Sequence, residues 1–421
     1  MNQKFNYFKI FMFLFSYPFF LQFNTAALAS PTSEHPEFPF LSSAPALFLH
    51  PSNYEPKEAQ ITFHSERTEK LLLPEQNRLV YTFSIQKNPT APLLFLIPGM
   101  GGFAFNGNTL YLAEIAFNLG YSVVTLPSTT HWSFAVAASS TGRTGYLPDD
   151  SQDMYFLISV IKKNLMRAYT INPNKWGLMG YSYGALDGAF LIAQDLKQHK
   201  FNFDFLLMLN PPLNRATAIA KVDKYFADGQ RWSEKRRFNI SSLAIGRFID
   251  INDGLIKIET FDQLKSAFPL KESALSWLLA REFVTSVASS AYFGDLIENK
   301  KTPSTSAGKS SAFNTSITQY LRDSVYPAKM KSTHASLKTV EAQSELLTVL
   351  EQNKGELTSH TKVVMFHSLN DFLSFPEGTP ILNTLKNHKI EMKLFPFGGH
   401  MGFISDTSVV EELKAKLNSL K

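Results

Sequence analysis

Gly180-Tyr181-Ser182-Tyr183-Gly184 lies between an apolar stretch, Trp176–Met179, and a helically patterned segment, Tyr183–Leu196. A serine flanked at two residues' distance by glycines, at the point where a strand turns into a helix, has a physical rationale. The hydroxyl must project from a sharp turn that holds the serine backbone in a strained conformation. Side chains two residues to either side would collide with neighbouring backbone, so both positions are Gly. The helix that follows points its N-terminus at the hydroxyl, which favours negative charge developing there.

Outward from this turn the pattern alternates. Leu79–Ile85 alternates weakly and reads as a strand. Leu93–Ile97 is continuously apolar and ends at Pro98-Gly99, which suits a strand buried on both faces of a parallel sheet. A helix over 109–119, a strand over 121–126 and a helix over 150–167, with Asp149 or Asp150 available to cap it, come next. Phe205–Leu209 is another apolar strand, ended by Asn210-Pro211-Pro212. Strands alternating with helices at this spacing imply a mostly parallel α/β sheet with helices on both faces.

The alternation stops over residues 213–350, which are helical in pattern. Leu275, Leu278, Leu279 and Phe283 share one helical face. Lys300–Ser316 is rich in Ser and Thr and reads as a loop. Strand signal resumes at Lys362–Phe366, followed by a helix over 380–387, a strand over 390–395 and a helix over 406–420. The expected organisation is a leader, 1–29; an extended segment, 30–78; an α/β unit, 79–212 plus 351–421; and a helical insertion, 213–350.

The leader carries Lys4 and Lys9, then an apolar run of about 14 residues from Ile10 to Phe23, then Ala27-Leu28-Ala29 before Ser30. That is the pattern of a cleaved secretory signal, too short for the roughly 20 residues that span a bilayer, so a periplasmic or secreted protein is expected. At 44% hydrophobic residues the 421-residue chain can bury a large core, which excludes global disorder. It has no cysteine, which excludes disulfides, thiolate metal sites and a cysteine nucleophile. A net charge of +5, with no basic run interleaved with aromatics, gives no sign of nucleic-acid binding. No H-E-x-x-H and no P-loop occur, so neither a metal nor a cofactor is expected.

Two further signals share the α/β frame. Pro98-Gly99-Met100-Gly101-Gly102 follows the first buried strand, and glycines there let backbone amides approach a ligand. Residues 99–104 also fit a loose G-x-G-x-x-A. A dinucleotide site expects an acid about 20 residues on, whereas the next strand end reads Thr125-Leu126-Pro127-Ser128. His400, in Gly398-Gly399-His400-Met401-Gly402, follows the last strand, and Asp371 follows the preceding one. An imidazole suits proton transfer near neutral pH, and a carboxylate can hold its tautomer. His367 precedes Asp371 on the same loop and reads as a pocket or structural residue. Glu377 is a second choice for the acid.

These motifs together resemble the α/β-hydrolase superfamily, in particular esterase- and lipase-like serine hydrolases with a large helical cap. The resemblance covers about 79–212 and 351–421. It implies Ser182 as nucleophile, His400 as base and Asp371 as acid, in the chain order that fold uses, with the amides of Met100 and Tyr183 as the oxyanion hole. It departs from many esterases in having Pro98-Gly99 where they have His-Gly. Phe103, Phe105, Tyr181 and Tyr183 surround the motifs, which favours a carboxylic ester of a small-molecule or lipid-like acyl group. Phe103, Tyr181 and His131 are the expected substrate contacts. A peptidase or acyltransferase would use the same triad, and a catalytically silent binding protein is the reading of another class.

The insertion holds the chain's positive excess, with 19 Lys and Arg against 14 Asp and Glu in 211–350. Lys235-Arg236-Arg237 is its densest cluster. An attraction to an anionic substrate or membrane surface is one reading, and a solvated helical face the plainer and preferred one. Trp277, Leu278 and Phe283 read either as the underside of a lid or as the insertion's own core.

Overall fold

The computed structural model describes residues 37–70, 78–299, 315–353 and 356–421. The leader 1–29 and residues 300–314 of the expected loop lie outside them. One eight-stranded sheet organises the described chain: β1 (Lys57–Ile61), β2 (Leu79–Ser84), β3 (Leu93–Ile97), β4 (Ser122–Thr125), β5 (Trp176–Tyr181), β6 (Phe205–Leu209), β7 (Lys362–Ser368) and β8 (Glu391–Phe395). The strand order is β1-β2-β4-β3-β5-β6-β7-β8. β2 pairs antiparallel with β1 and β4, and the other pairings are parallel.

The continuous apolar runs are explained by two covered faces. In β3, Leu93, Phe95 and Ile97 join one core, while Leu94 and Leu96 join the other. In β6, Leu206 and Met208 face the first and Phe205, Leu207 and Leu209 the second. Successive side chains of a strand point to opposite faces, so burial on both sides needs apolar residues throughout. Helices α1 (Gly107–Asn118), α2 (Trp132–Ala137), α3 (Leu147–Tyr169) and α4 (Tyr183–Gln198) flank the sheet. α3 and α4 cover the first face. α1 covers the second together with the C-terminal helix described below.

The chain between β6 and β7 is helical: α5 (Arg215–Gln230), α6 (Glu234–Asn252), α7 (Phe261–Ala267), α8 (Glu272–Asn299), α9 (Tyr326–Thr333) and α10 (Leu346–Gln352), with shorter turns between. It returns through α11 (Thr379–Asn387) and ends in α12 (Thr407–Leu420). α5 and α8 share a separate apolar core that includes Val222, Phe226, Trp277, Ala280 and Val284. This is the α/β-hydrolase architecture, with a helical cap inserted between adjacent parallel strands.

Some expectations are corrected. α3 begins before Asp149 and Asp150: its N-cap is Tyr146, and Pro148 occupies the first turn. Proline tolerates that position because it lacks only an amide hydrogen the helix cannot use. Asp150 instead accepts the Gly145 amide at 2.6 Å. The segment expected to be merely extended contains a 3-10 helix, Leu41–Phe48, and the edge strand β1. The stripe of α8 divides. Trp277 packs on Trp232 in the cap core, with ring centroids 5.8 Å apart, whereas Phe283 faces the site. The Lys235–Arg237 cluster is partly engaged locally. Arg237 donates to the Gln230 and Trp232 carbonyls, and Arg236 lies 4.3 Å over the Trp232 ring.

Candidate active site

Ser182 sits between β5 and α4 with φ 54° and ψ −125°, a left-handed backbone that L-residues adopt only under constraint. The constraint is visible. The Ser182 amide donates to the Leu209 carbonyl of β6 at 2.8 Å. A Cβ on Gly180 would lie 2.1 Å from the Gly184 carbonyl oxygen, and one on Gly184 would lie 2.3 Å from those of Ile97 and Pro98. The elbow therefore closes only because both positions lack a side chain.

His400 and Asp371 reach Ser182 from the ends of β8 and β7. His400 Nε2 is 2.8 Å from Ser182 Oγ, and His400 Nδ1 is 2.9 Å from Asp371 Oδ2. Asp371 is fully buried, and its Oδ1 accepts the Leu373 amide at 2.9 Å. With a carboxylate on Nδ1 the ring proton sits there, and Nε2 is left to accept the serine hydroxyl hydrogen. The His400 loop bends through Gly398, Gly399 and Met401, all at positive φ. The rings of Phe372 and Phe283 stand edge-on to the imidazole at 5.8 and 6.2 Å.

One support was not anticipated. The 3-10 helix Leu41–Phe48 runs against the His400 loop. Ser43 Oγ accepts the His400 amide at 2.7 Å and donates to the Pro39 carbonyl at 2.7 Å. Phe40 packs on Phe372, with ring centroids 4.4 Å apart. A Pro- and Ser-rich stretch far upstream carries no periodic signal that would reveal this docking.

The glycine loop after β3 closes the other side of Ser182. A Cβ on Gly99 would lie 2.9 Å from Ser182 Cβ, so the loop backbone passes directly beside the hydroxyl. Gly101, at φ +70°, donates its amide to Thr130 Oγ1 at 2.8 Å. Among the described residues no hydrogen bond engages the amides of Met100 or Tyr183. Both N–H groups, one in the loop that passes beside Ser182 and one on the residue that follows it, are thus without a partner among the described residues.

Two cavities adjoin these residues beneath the cap, and both include Met100, Tyr183, Arg215, Ile219 and Ile317 in their walls. The larger also touches Ser182, Val222, Phe283 and Leu373. Phe103, Tyr181 and His131, the expected substrate contacts, line neither. Tyr181 points under the sheet, where its hydroxyl bonds Thr109 at 3.0 Å and burial pushes its pKa up to about 12. Its neighbours Ser182 and Tyr183 are turned the other way by the elbow. His131 caps α2, accepting the Ser133 amide at 3.2 Å, and burial pushes its pKa down to about 3. Phe103 packs edge-on against His131 at 5.4 Å.

Neither His367 nor Glu377 joins the Ser182–His400–Asp371 series. His367 is fully buried, with Nδ1 2.8 Å from the Ser368 carbonyl oxygen and Nε2 3.0 Å from that of Pro211, so its ring is held against local backbone and its one N–H in the neutral form serves one of the two. Glu377 pairs with Lys221 at 2.5 Å on the surface. Sequence reasoning missed Arg215, Ile219 and Val222, which line the cavity from α5. Their spacing looks like any amphipathic helix until the cap is folded over Ser182. Among the described residues no group of His, Asp and Glu is arranged to hold a metal, and no helix is long and apolar enough to cross a membrane.

The sheet topology is that of the α/β-hydrolase fold, with Ser182, His400 and Asp371 hydrogen-bonded in series at the ends of its strands. No protein-family model and no curated protein sequence matches the chain. Solved structures similar to it include an inhibited esterase B from Lactobacillus rhamnosis, at 10% identity, with 90% of this chain and 91% of that one covered and a TM-score of 0.43. An esterase from Pyrococcus furiosus is 12% identical over 87% of this chain and 90% of that one, with a TM-score of 0.42. The α/β hydrolase GrgF from Penicillium sp. sh18 is 14% identical over 87% and 98%, with a TM-score of 0.43.

Proposed function

We propose that the protein is an exported serine hydrolase of acyl bonds, acting on a carboxylic ester. The observation that carries this reading is the unbroken hydrogen-bonded series Ser182–His400–Asp371 at 2.8 and 2.9 Å. In this mechanism Ser182 Oγ attacks the carbonyl carbon while His400 Nε2 takes its proton. Asp371 holds the imidazole in the required tautomer and stabilises the imidazolium. The oxyanion is held by the Met100 and Tyr183 amides. A single donor of this kind contributes about 3 kcal/mol of transition-state stabilisation. His400 then protonates the departing alcohol, and a water activated by His400 releases the acyl group from Ser182. The apolar walls of the larger cavity, with Ile219, Val222, Phe283 and Leu373, favour an ester over a peptide.

The test is labelling of the purified protein with a fluorescent fluorophosphonate, beside Ser182→Ala. Labelling of the wild type alone, with turnover of a short-chain aryl ester, is the expected result. Equal labelling of both, or none in a folded wild type, would overturn the reading. Export is checked by sequencing the N-terminus of the mature chain, which is expected to begin at Ser30.

A further inference from the structure

Arg215 is the first residue of α5 and is only 2% exposed. It lies in the wall shared by both cavities, one of which touches Ser182. Its Nη1 donates to Tyr326 Oη at 3.0 Å and its Nη2 to the Gly145 carbonyl at 2.6 Å. Both acceptors are neutral. Its Nε is buried without a hydrogen-bond partner, and so is Tyr183 Oη on the same wall. The guanidinium carbon stands 5.8 Å from the Tyr183 ring centroid. The two polar groups approach each other but not in hydrogen-bond geometry.

Among the described residues no carboxylate pairs with this guanidinium. Glu345 accepts the Arg215 backbone amide rather than its side chain. Asp150 is engaged by the Gly145 amide and Asp187 by the Thr129 hydroxyl. Burial pushes both acids upward, toward their neutral forms. A buried guanidinium without a contacting anion is costly, and the cost is recovered when an anion binds. The remaining cavity wall is otherwise largely aliphatic and aromatic, so the guanidinium is the cationic group in reach of a bound ligand.

We propose that Arg215, with the Tyr183 hydroxyl, forms a subsite for a carboxylate on the substrate, so that the ester cleaved at Ser182 is a monoester of a dicarboxylic acid. The Arg215 Nε–H and the Tyr183 hydroxyl, neither with an acceptor of its own, would supply one donor to each oxygen of a single carboxylate. A phosphate would ask for more. The inference rests on the reading of Ser182 as the nucleophile and deepens it by naming a substrate class. The competing role for Arg215 is purely structural, tying Gly145 beside α3 to Tyr326 of the cap.

The experiment compares kcat/KM for monomethyl esters of dicarboxylic acids, from glutarate to suberate, with methyl esters of the fatty acids of matching length. The full-length mature protein is used, with fluorophosphonate labelling run in parallel. The wild type is expected to prefer at least one monoester over its neutral partner by roughly tenfold or more, since a site built to bond a polar group discriminates strongly. Arg215→Met is expected to abolish or reverse that ratio, and Arg215→Lys to keep part of it. If Arg215→Met does not fold, Tyr183→Phe serves instead, and a reduced ratio supports the subsite. A wild type that labels at Ser182 but prefers every neutral ester overturns the subsite and leaves the hydrolase reading standing. An unchanged ratio in a folded Arg215→Met does the same. A folded wild type that neither labels nor turns over either series overturns both.

Discussion

At the scale of single residues, the site depends on what is missing from Gly180 and Gly184. A methyl group on Gly184 would meet the carbonyls that begin the Met100 loop, Ile97 and Pro98, each at 2.3 Å. Backbone cannot yield there without moving β3 or α4. Gly184→Ala is expected to lose about 3 kcal/mol or more of stability and to lose fluorophosphonate labelling with it. Gly246, within α6, has nothing within 4 Å of its imagined Cβ. Gly246→Ala is expected to be neutral or stabilising by up to about 1 kcal/mol, because alanine suits a helix interior better. Urea unfolding of the pair is the check, and equal midpoints would remove the steric argument. These elbow glycines were legible in the sequence because their spacing follows from the sterics of the turn. Arg215 was not, because a lone arginine at a helix start looks like any surface residue. Only the folded cap reveals that Gly145, Tyr326 and Tyr183 enclose it.

At the scale of elements, the strands and the loops that carry Asp371 and His400 were legible and the N-terminal segment was not. Apolar runs such as Leu93–Ile97 announce burial on both faces. By contrast, β1, Lys57–Ile61, is a polar edge strand whose main partner is β2, and it carries no such run. The 3-10 helix Leu41–Phe48 is wedged between the His400 loop and α8. Glu272, in the first turn of α8, accepts the Phe40 and Leu41 amides at 2.9 and 3.0 Å. Ser43 holds the His400 amide from the other side. This element therefore joins the cap to the His400 loop, and in the proposed mechanism Ser43 is a positioning residue. Ser43→Ala leaves the His400 amide buried without its acceptor, at a cost of about 1–3 kcal/mol. The expected outcome is a fluorophosphonate labelling rate lower by roughly tenfold, with KM for a neutral ester little changed, because the loss falls on orientation rather than on binding. A variant that labels at the wild-type rate would make Ser43 a structural contact only.

At the scale of the whole molecule, the cap and the sheet meet over a buried polar layer, and that layer makes stability depend on pH. Asp187 on α4 is fully buried and receives the Thr129 hydroxyl on both oxygens at 3.1 Å. Burial is the dominant influence and pushes its pKa from 3.8 up to about 7, against the opposing pull of Thr129 and of the Arg215 charge. Glu282 on α8 is pushed the same way, to about 7, but keeps partial solvent contact and weighs less. The sign follows from linkage. Below the unfolded pKa, near 4, Asp187 is neutral in both states and its contribution is fully present. Between about 4 and 7 the unfolded chain releases its proton while the folded one keeps it, so stability falls as pH rises. Above about 7 both states are ionised and the loss levels off. A shift of this size corresponds to about 4 kcal/mol across the window as an upper bound. Asp187→Asn keeps an acceptor for Thr129 and removes the titration. The unfolding free energy of the wild type relative to this variant is therefore expected to decline from pH 4 to pH 7, by an amount of order kcal/mol. Urea unfolding at half-unit pH steps measures it. A difference that stays flat across the window would mean that Asp187 is ionised in the folded protein throughout. The Arg215 cation would then have a permanent buried counter-charge near it, which would weaken the case for a substrate carboxylate as its partner.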